Sequence, residues 1–481
     1  MKRRIARLLC FALLLPCFLL ASCGGGGADE TTVAPETFSD TTEAGESGYT
    51  VTFLVGESEY KVNAAYGDVP ECPVDPAEAV AENYAVRSFI GWDKEIVAVT
   101  EDTTYVATFA GGAEILPVKG GAKGILTMTY DDAQLDTAKW VNSENKKYGL
   151  AGSCMLIAGW TRVTNNLAAW RALFADGTLE PESHSMNHDT LPAEGNGKFE
   201  THKGFNTQPK YKTELVDART QLQEYFPEYD VLCFAPASNT LSTYSYAVKQ
   251  NGEADLTQRL NDGGAEKVAV ETYYAIRQGA RGIQSLDPTF GTEAGGWYNL
   301  KMQGLSSYEG EAKLIAAKSW VDEAVKGGWV IVMCHGIEGP NAKGTSPLEI
   351  TEADADAFFA YAGEYVKTGE LWSATFGEAT KYLRERQNTT VSEQVADGQI
   401  YVEMTIHRTA ADGKYLDETV FDYPLSVEIR VPADWHTVSY RVNKKNATTP
   451  VYLRDGLAYA TVEIVPGADG AKTLTAVRCE N

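Results

Sequence analysis

Short apolar runs alternate with helix-like stretches between about residues 120 and 387. Stretches with helical periodicity, such as 213–225 and 310–325, lie between these runs. The alternation of strand and helix predicts an α/β domain, either a barrel or a doubly wound sheet. The apolar runs are GILTMTY, AGSCMLIAG, TLEPESHS, YDVLCFAP, WVIVMCHGI and LWSATFG.

The segments on either side have a different pattern. Residues 48–111 begin and end with alternating runs, YTVTFLV and TYVATF, that are typical of strands. Residues 395–481 continue with QIYVEMTIH, LSVEIRVP and AYATVEIV, without helical periodicity. We therefore predict a small N-terminal β module, a central domain at 113–388 and a C-terminal β-sandwich.

The start of the chain has the pattern of an export signal. Basic residues precede an apolar run at 8–20, and this run is shorter than the roughly 20 residues of a membrane span. It ends in Leu-Ala-Ser-Cys at Cys23, which resembles a bacterial lipobox. The resemblance implies that residues 1–22 are removed and that Cys23 carries a lipid anchor on the outer face of the cell membrane. An ordinary secretory signal with an incidental cysteine is the alternative.

Composition limits the partners and the redox chemistry. Residues 23–47 are rich in Gly, Thr, Glu and Asp, which predicts a disordered tether. The net charge of -24 makes nucleic acid an unsuitable partner. Cys154, Cys233 and Cys334 each lie within an apolar run, so we predict small core residues and no disulfide framework. The oligomeric state does not follow from the sequence.

Three groups of polar residues each follow an apolar, strand-like run. Asp131 and Asp132 follow the first run, His184 and His188 form an HxxxH pattern, and His335 ends a later run. Taken singly, the aspartates suit a turn or a helix cap, and the histidines suit structural positions. An HxxxH turn, however, places two imidazoles on one face, as a metal ion requires. Because catalytic groups gather at the carboxyl ends of strands in α/β folds, the three groups together predict one site.

The motifs TYDD, HSMNH and the strand-end histidine resemble, in this order, motifs of the polysaccharide deacetylases, the NodB homology domain of carbohydrate esterase family four. The resemblance covers most of residues 113–388. It implies a distorted (β/α) barrel, a divalent metal ion with Zn²⁺ expected, and hydrolysis of N-acetyl groups on an envelope or environmental glycan, such as peptidoglycan or a chitin-like polymer. An O-acetyl esterase of the xylan type and an inactive glycan-binding lipoprotein are the alternatives.

The family's roles can be transferred residue by residue. Asp132, His184 and His188 would hold the metal ion. Asp131 would be the general base that accepts a proton from water, and His335 the general acid that protonates the departing sugar amine. The resemblance thus implies a complete catalytic set.

The first and third motifs depart from the family pattern. Ala133 replaces the usual glycine after TYDD. The segment FAPASN at 234–239 lacks the arginine that usually pairs with the catalytic aspartate. The segment from Arg277 to Arg281 is the candidate replacement, with a solvated pair of charges as the equal alternative.

The fourth motif, an Asp-Trp element that orients the acid histidine, cannot be placed. Asp287, Trp297 and Glu309 lie in the corresponding interval. The histidines outside the motifs, which we predict to be surface or structural residues, are His202, His407 and His436.

Residues 48–111 look like one copy of the Listeria-Bacteroides repeat. The resemblance lies in Tyr-Gly-Asp at 66–68, Phe-x-Gly-Trp-Asp at 89–93 and Ala-Thr-Phe at 107–109. It implies a β-grasp-like module with a spacer or adhesive role. We expect Trp92, and Trp435 in the C-terminal part, to pack in their cores rather than to stack on sugar.

Overall fold

The computed structural model describes residues 48–480, apart from some short segments. Predictions for the signal, Cys23, the tether, His202 and Glu309 lie outside the described residues. Among the residues described, no helix is both long and apolar enough to cross a membrane. The omitted segments are 56–57, 77–87, 111, 190–205, 238–240, 288, 292–295, 306–307, 309, 343–347, 397–398 and 443.

The N-terminal module contains one four-stranded sheet in the order β2-β1-β4-β3. Strands β1 and β4 are parallel, and the other neighbours are antiparallel. Trp92 is partly buried with its ring centroid 5.0 Å from that of Phe53, so it packs in this core as predicted. The assignment to the Listeria-Bacteroides repeat stays a prediction. The strands are Tyr49–Val55 (β1), Ser58–Ala64 (β2), Ser88–Trp92 (β3) and Thr103–Ala110 (β4).

The central part of the chain alternates strands and helices. Its strands are Ala113–Ile115 (β5), Gly124–Tyr130 (β6), Gly152–Leu156 (β7), Leu179–Ser183 (β8), Cys233–Phe234 (β9), Ser245–Val248 (β10), Ala254–Leu260 (β11), Ala275–Arg281 (β12), Gln284–Ser285 (β13), Leu300–Gly304 (β14), Gly328–Cys334 (β15), Gly336–Glu338 (β16), Leu348–Thr351 (β17) and Leu371–Ser373 (β18). Its helices are Leu135–Tyr148 (α1), Thr161–Thr164 (α2), Leu167–Phe174 (α3), Gln208–Tyr211 (α4), Ala218–Tyr225 (α5), Gly264–Thr272 (α6), Glu311–Ala324 (α7), Glu352–Lys367 (α8) and Phe376–Gln387 (α9). A π-helical segment, Lys212–Asp217, joins α4 to α5, and 3-10 turns occur at Lys119–Gly121 and Gly296–Tyr298.

Seven parallel strands close into a barrel in the order β6-β7-β8-β9-β12-β14-β15. Closure comes from the parallel pairing of β15 with β6, from Trp329 opposite Ile125 to Cys334 opposite Tyr130. Every residue of β6 and β15 is buried, which explains their continuous apolar sequences. With seven strands instead of the eight of a regular (β/α)₈ barrel, the predicted distorted (β/α) barrel is confirmed.

The barrel places the three motifs at one end. Strands β6, β8 and β15 are parallel members of the closed sheet, so their carboxyl ends lie on the same side. Asp131 follows β6, His184 follows β8 and His335 follows β15. The backbone N–H of Asp131 also donates to the carbonyl of Cys334 at 2.9 Å, which joins two of these ends.

The C-terminal part consists of two β-sheets, as predicted. Their orders are β19-β20-β26-β22-β23 and β24-β25-β21-β5. Inward-facing residues of both sheets, including Val402 and Val462, belong to one buried core. Residues 113–115 pair with β21, so the boundary that we predict at 113 precedes a strand of the C-terminal sheet. The strands are Thr389–Ala396 (β19), Gln399–Ile406 (β20), Leu425–Arg430 (β21), Thr437–Val442 (β22), Lys445–Pro450 (β23), Tyr452–Arg454 (β24), Leu457–Ile464 (β25) and Lys472–Cys479 (β26).

Candidate metal and catalytic site

Asp132, His184 and His188 form a compact cluster at the carboxyl end of the barrel. Their potential ligand atoms all lie within 4.8 Å of one another. Asp132 Oδ1 is 3.6 Å from His184 Nε2 and 3.2 Å from His188 Nε2. Ligands about 2.0–2.2 Å from a tetrahedral ion are separated by roughly 3.3–3.6 Å. Asp132 Oδ1 therefore stands at the spacing of neighbouring ligands from each of the two imidazole nitrogens.

Two atoms of this cluster are buried without a conventional partner. Asp132 Oδ1 and His184 Nε2 have no hydrogen bond within the described part of the chain. Leaving such atoms unpaired is costly in a folded protein, and orphaned atoms of this kind often mark an ion site. A carboxylate and two imidazoles are also ligands that Zn²⁺ prefers. The residues present thus fit a divalent metal ion.

The ring orientation of His184 is set by a backbone contact. Its Nδ1 lies 2.6 Å from the carbonyl oxygen of Ala235. That carbonyl can only accept, so Nδ1 carries the proton and the lone pair of Nε2 faces the cluster. Asp132 supplies the negative charge: burial opposes it, but the two adjacent imidazoles hold the pKa of this carboxyl well below its usual range.

The backbone around the ligands is left-handed at several non-glycine positions. The φ angle is 68° at Asp132, 50° at Ala133, 76° at Ser185 and 63° at His188. Such conformations cost about 1–3 kcal/mol each and persist where surrounding contacts enforce them. Ala133 adopts this conformation without the conformational freedom of a glycine.

Asp131 lies beside the cluster and is paired with Arg277. Asp131 Oδ2 is 3.9 Å from His184 Nε2. Arg277 Nη2 donates to both carboxylate oxygens, at 2.5 Å to Oδ2. Arg277 is fully buried on β12, whereas Arg281 at the end of that strand is exposed. Of the candidate segment, Arg277 alone therefore reaches Asp131, and it is not a solvated charge.

The charge of Asp131 depends on this pairing. Burial raises the pKa of the carboxyl, and the Arg277 guanidinium opposes burial strongly enough to bring the pKa below its usual value. Asp131 is therefore a carboxylate at neutral pH.

His335 is held by a carboxylate that sequence reasoning missed. His335 Nδ1 lies 2.8 Å from Glu349 Oε1, and the His335 backbone N–H donates to Glu349 Oε2 at 3.0 Å. Burial lowers the pKa of His335, but the hydrogen bond that its Nδ1–H donates to Glu349 and the charge of Asp131 raise it to about 9. The imidazole is therefore protonated at neutral pH.

The residues considered for the fourth motif do not reach His335. Asp287 is exposed and accepts hydrogen bonds from Thr289. Trp297 is buried against Phe290, with ring centroids 5.1 Å apart. Glu349 comes after His335 in the chain, on β17, where the only sequence signal is a glutamate between two apolar residues.

A second buried glutamate holds the loop that carries His188. Glu214 is fully buried in the π-helical segment. Its Oε2 accepts the backbone N–H of Asn187 at 3.0 Å, and its Oε1 accepts the Asn187 side-chain amide at 2.7 Å. The Glu214 carbonyl accepts the N–H of Met186 at 3.2 Å. Glu214 thus fixes the turn between the two histidine ligands.

The remaining predicted positions behave as expected. Cys154, Cys233 and Cys334 are buried free thiols. His407 and His436 are exposed. The structure brings together all five predicted site residues, and it adds Glu214 and Glu349 to them.

The rim of the site contains an aromatic ring and a cation. The Trp160 ring centroid is 5.5 Å from that of His188. Arg162 lies over the Trp160 ring, and its Nη1 donates to the backbone carbonyl of Asp132 at 3.4 Å. Neither residue belongs to a motif, so sequence reasoning gave no reason to choose them.

Comparison with known proteins gives distant relatives. No protein-family model matches the chain. A gellan lyase from a Bacillus species is 22% identical over 386 residues, which cover 74% of this chain and 13% of that protein. The match therefore spans a small part of that relative.

Similar solved structures include carbohydrate esterases of family CE4. The Xyl-CE4 domain of a multidomain xylanase from the hindgut metagenome of Trinervitermes trinervoides is 13% identical, with a TM-score of 0.31 over 53% of this chain and 88% of that chain. An acetyl xylan esterase of family 4 from Clostridium thermocellum is 14% identical, with a TM-score of 0.30 over 53% and 89%. A CE4 family pseudoenzyme from Bacillus anthracis is 11% identical, with a TM-score of 0.31 over 54% and 66%. Likeness at this level assigns no activity to the present chain, and the barrel described above rests on its own strand pairing.

Proposed function

We propose that the protein is a metal-dependent polysaccharide deacetylase of the NodB type, hydrolysing N-acetyl groups of an envelope or environmental glycan. The observation that carries this proposal is the cluster of three potential ligand side chains beside Asp131, whose charge Arg277 maintains, together with a protonated His335 at the same end of the barrel. Amide hydrolysis needs a base for the attacking water and an acid for the departing amine. The site offers both at neutral pH.

A divalent ion bound by Asp132, His184 and His188, with Zn²⁺ expected, supplies Lewis-acid polarisation of the acetyl carbonyl and acidifies the attacking water. Asp131 accepts the proton of that water. Its pairing with Arg277 keeps the carboxylate ionised and fixes its orientation.

His335 completes the reaction by donating a proton to the sugar nitrogen. The water oxygen forms a bond to the acetyl carbon, and the amide carbon–nitrogen bond then breaks. Because the nitrogen receives the proton from His335, the sugar is released with a neutral amine, and the acetyl group is released as acetate. Glu349 keeps the imidazole protonated and aims it through Nδ1, so that Nε2 is the donating atom.

The protonation of His335 supports an amide over an ester as the substrate. An amine is a poor leaving group unless it is protonated, whereas an alcohol departs more readily. The O-acetyl esterase is therefore the second candidate. Asp131 and His335 have the buried partners Arg277 and Glu349. Glycan binding alone requires neither of these partners, so their presence argues against an inactive glycan binder.

The cellular setting that we propose is export and lipid attachment at Cys23 on the outer face of the cell membrane. In this arrangement residues 23–47 tether the folded parts, namely the repeat-like module at 48–111, the deacetylase domain at 113–388 and the C-terminal domain at 395–481. Replacing Cys23 by alanine tests the anchor. The unmodified protein is expected to incorporate a labelled fatty acid and the variant to incorporate none, and equal labelling of both proteins contradicts the anchor.

The reaction is tested by measuring acetate and new free amines from N-acetylglucosamine oligomers and, in parallel, acetate from acetylated xylan. The proposal expects equal amounts of acetate and amine from the first substrate, and loss of both in Asp131→Asn. The matched control is Asp287→Asn, because Asp287 is exposed and its carboxylate accepts hydrogen bonds from Thr289, two residues further along the chain. Acetate from xylan alone would replace the proposal by the esterase, and no acetate from either would support the inactive binder.

A further inference from the structure

The five-stranded C-terminal sheet carries a groove of about 640 Å³. Strands β22 and β26 pair only at Val438 opposite Cys479 and at Ser439 opposite Arg478. Strand β23, in contrast, pairs with β22 from one end to the other. Beyond Ser439 the strands β22 and β26 are no longer paired, and residues of both strands, such as Arg441 and Ala476, line the groove.

The groove lining is polar and hydrogen-bonding. Ser439 and Thr448 lie opposite each other on neighbouring strands, and Asn446 follows on the same side of β23. Ala476, with its short side chain, also lines the groove. Leu474 is 60% exposed and adds an apolar surface at the wall. Hydroxyl and amide groups beside a small apolar surface match the alternating polar and C–H faces of sugar rings.

Two guanidinium groups border the groove. Arg441 Nη2 donates to the carbonyl of Lys444 at 3.0 Å, and Arg478 Nε donates to Gln399 Oε1 at 2.8 Å. Both acceptors are neutral, and neither arginine forms an ion pair with any carboxylate that the structure describes. Glu480 also lines the groove. The groove therefore carries more positive than negative charge on a chain whose net charge is -24.

We propose that this groove binds a carboxylate-bearing polysaccharide and holds it while the barrel acts on the polymer. Arginine can pair with a carboxylate through two parallel hydrogen bonds. Arg441 and Arg478 each donate one of the hydrogen bonds described above to a neutral acceptor, so other N–H groups of each guanidinium can bind a carboxylate. Nucleic acid would also bring negative charge, but the acidic chain as a whole repels its dense row of phosphates. The proposal rests on the proposed function, because it names the class of polymer that the enzyme meets.

The test is equilibrium binding of the full chain to polygalacturonate, with dextran as the neutral polymer. The unmodified protein is expected to bind polygalacturonate at least tenfold more tightly than dextran, with affinity that falls as salt is raised. Arg441→Gln combined with Arg478→Gln is expected to remove this difference. Equal binding of both polymers, or unchanged binding by the double variant, would overturn the proposal.

A matched control separates this groove from charge in general. Arg454→Gln removes one exposed guanidinium from the other C-terminal sheet, where it pairs with Glu428 at 2.6 Å. Its polygalacturonate binding is expected to equal that of the unmodified protein. If Arg454→Gln loses as much affinity as the double variant, binding at this particular groove is contradicted.

The binding assay and the acetate assay test the groove and the deacetylase activity independently of each other. If the protein binds polygalacturonate through the two arginines but releases no acetate, the proposed deacetylase activity is contradicted and the proposed binding groove is retained. If the protein releases acetate from N-acetylglucosamine oligomers but does not bind polygalacturonate, the proposed binding groove is contradicted and the proposed deacetylase activity is retained. Thermal melting of each variant shows whether a lost affinity reflects unfolding, and Arg441→Lys with Arg478→Lys then tests whether charge restores part of the binding.

Discussion

Arg277 and Asp131 are 146 positions apart in the chain, yet one guanidinium nitrogen donates to both carboxylate oxygens inside the barrel. Both side chains are almost completely buried. A buried carboxylate without a partner would take up a proton. The negative charge of Asp131, the proposed base, is thus stabilised by Arg277, which lies on a different strand of the barrel.

Replacing Arg277 by glutamine is expected to raise the pKa of Asp131, because the largest effect that opposes burial is then lost. The acidic limb of kcat/KM moves to higher pH, and activity at pH 7 falls by about 100-fold or more. The measurement is a pH–rate profile for acetate release, with thermal melting to report the cost of the unpaired buried charge. Arg281→Gln is the control on the same strand, since Arg281 is exposed. An acidic limb that does not move would contradict the pairing.

Replacing Glu349 by glutamine is expected to lower the pKa of His335 from about 9. A raised histidine pKa keeps the acid protonated up to the alkaline side, so its loss moves the alkaline limb of the pH–rate profile to lower pH. Glu338→Gln removes an exposed glutamate close by in the chain and should leave the limb in place. The idea is wrong if both variants keep the original alkaline limb.

Glu214→Ala is expected to weaken Zn²⁺ binding by about 10- to 100-fold, because the turn between His184 and His188 loses its buried anchor. Competition with a chelating dye measures this affinity without any substrate. Glu224→Ala is the matched control, as Glu224 is exposed on the adjoining helix. Glu214→Gln keeps one oxygen acceptor and should recover part of the affinity. Unchanged zinc affinity in Glu214→Ala would mean that the turn is held by other contacts.

Glu180 predicts how stability depends on pH. Burial raises the pKa of this carboxyl to about 7, against the hydrogen bond that it accepts from the Gly377 backbone N–H. A carboxyl whose pKa is raised in the folded state contributes stability below about pH 4.5 that is lost as pH rises through 7. Glu180→Gln should therefore flatten the decline in melting temperature between pH 5 and 8. Parallel curves for the variant and the unmodified protein would contradict this account.

The sequence predicted the barrel, and it predicted that three groups of polar residues meet at one end of it, for one physical reason. Parallel strands with every residue buried have continuous apolar sequences, and the residues directly after them meet at one end. The sequence alone therefore predicts that Asp131, His184 and His335 lie at the same end of the barrel.

The supporting residues were harder to predict. The choice between Arg277 and Arg281 depends on which of them faces the barrel interior, and a register irregularity in β12 lies between the two positions. Glu349 returns to His335 only because β16 and β17 pair beyond the barrel end. Glu214 depends on a π-helical segment, whose register no amphipathic pattern predicts.

The most direct test of the central claim is restoration of activity by metal. Protein stripped with a chelator is expected to release no acetate from N-acetylglucosamine oligomers, and to regain its activity as Zn²⁺ reaches about one ion per chain. His188→Ala, which lacks one of the three ligands, should bind zinc weakly and stay inactive at that ratio. Acetate release by the metal-free protein, or full recovery in His188→Ala, would contradict a metal site formed by Asp132, His184 and His188.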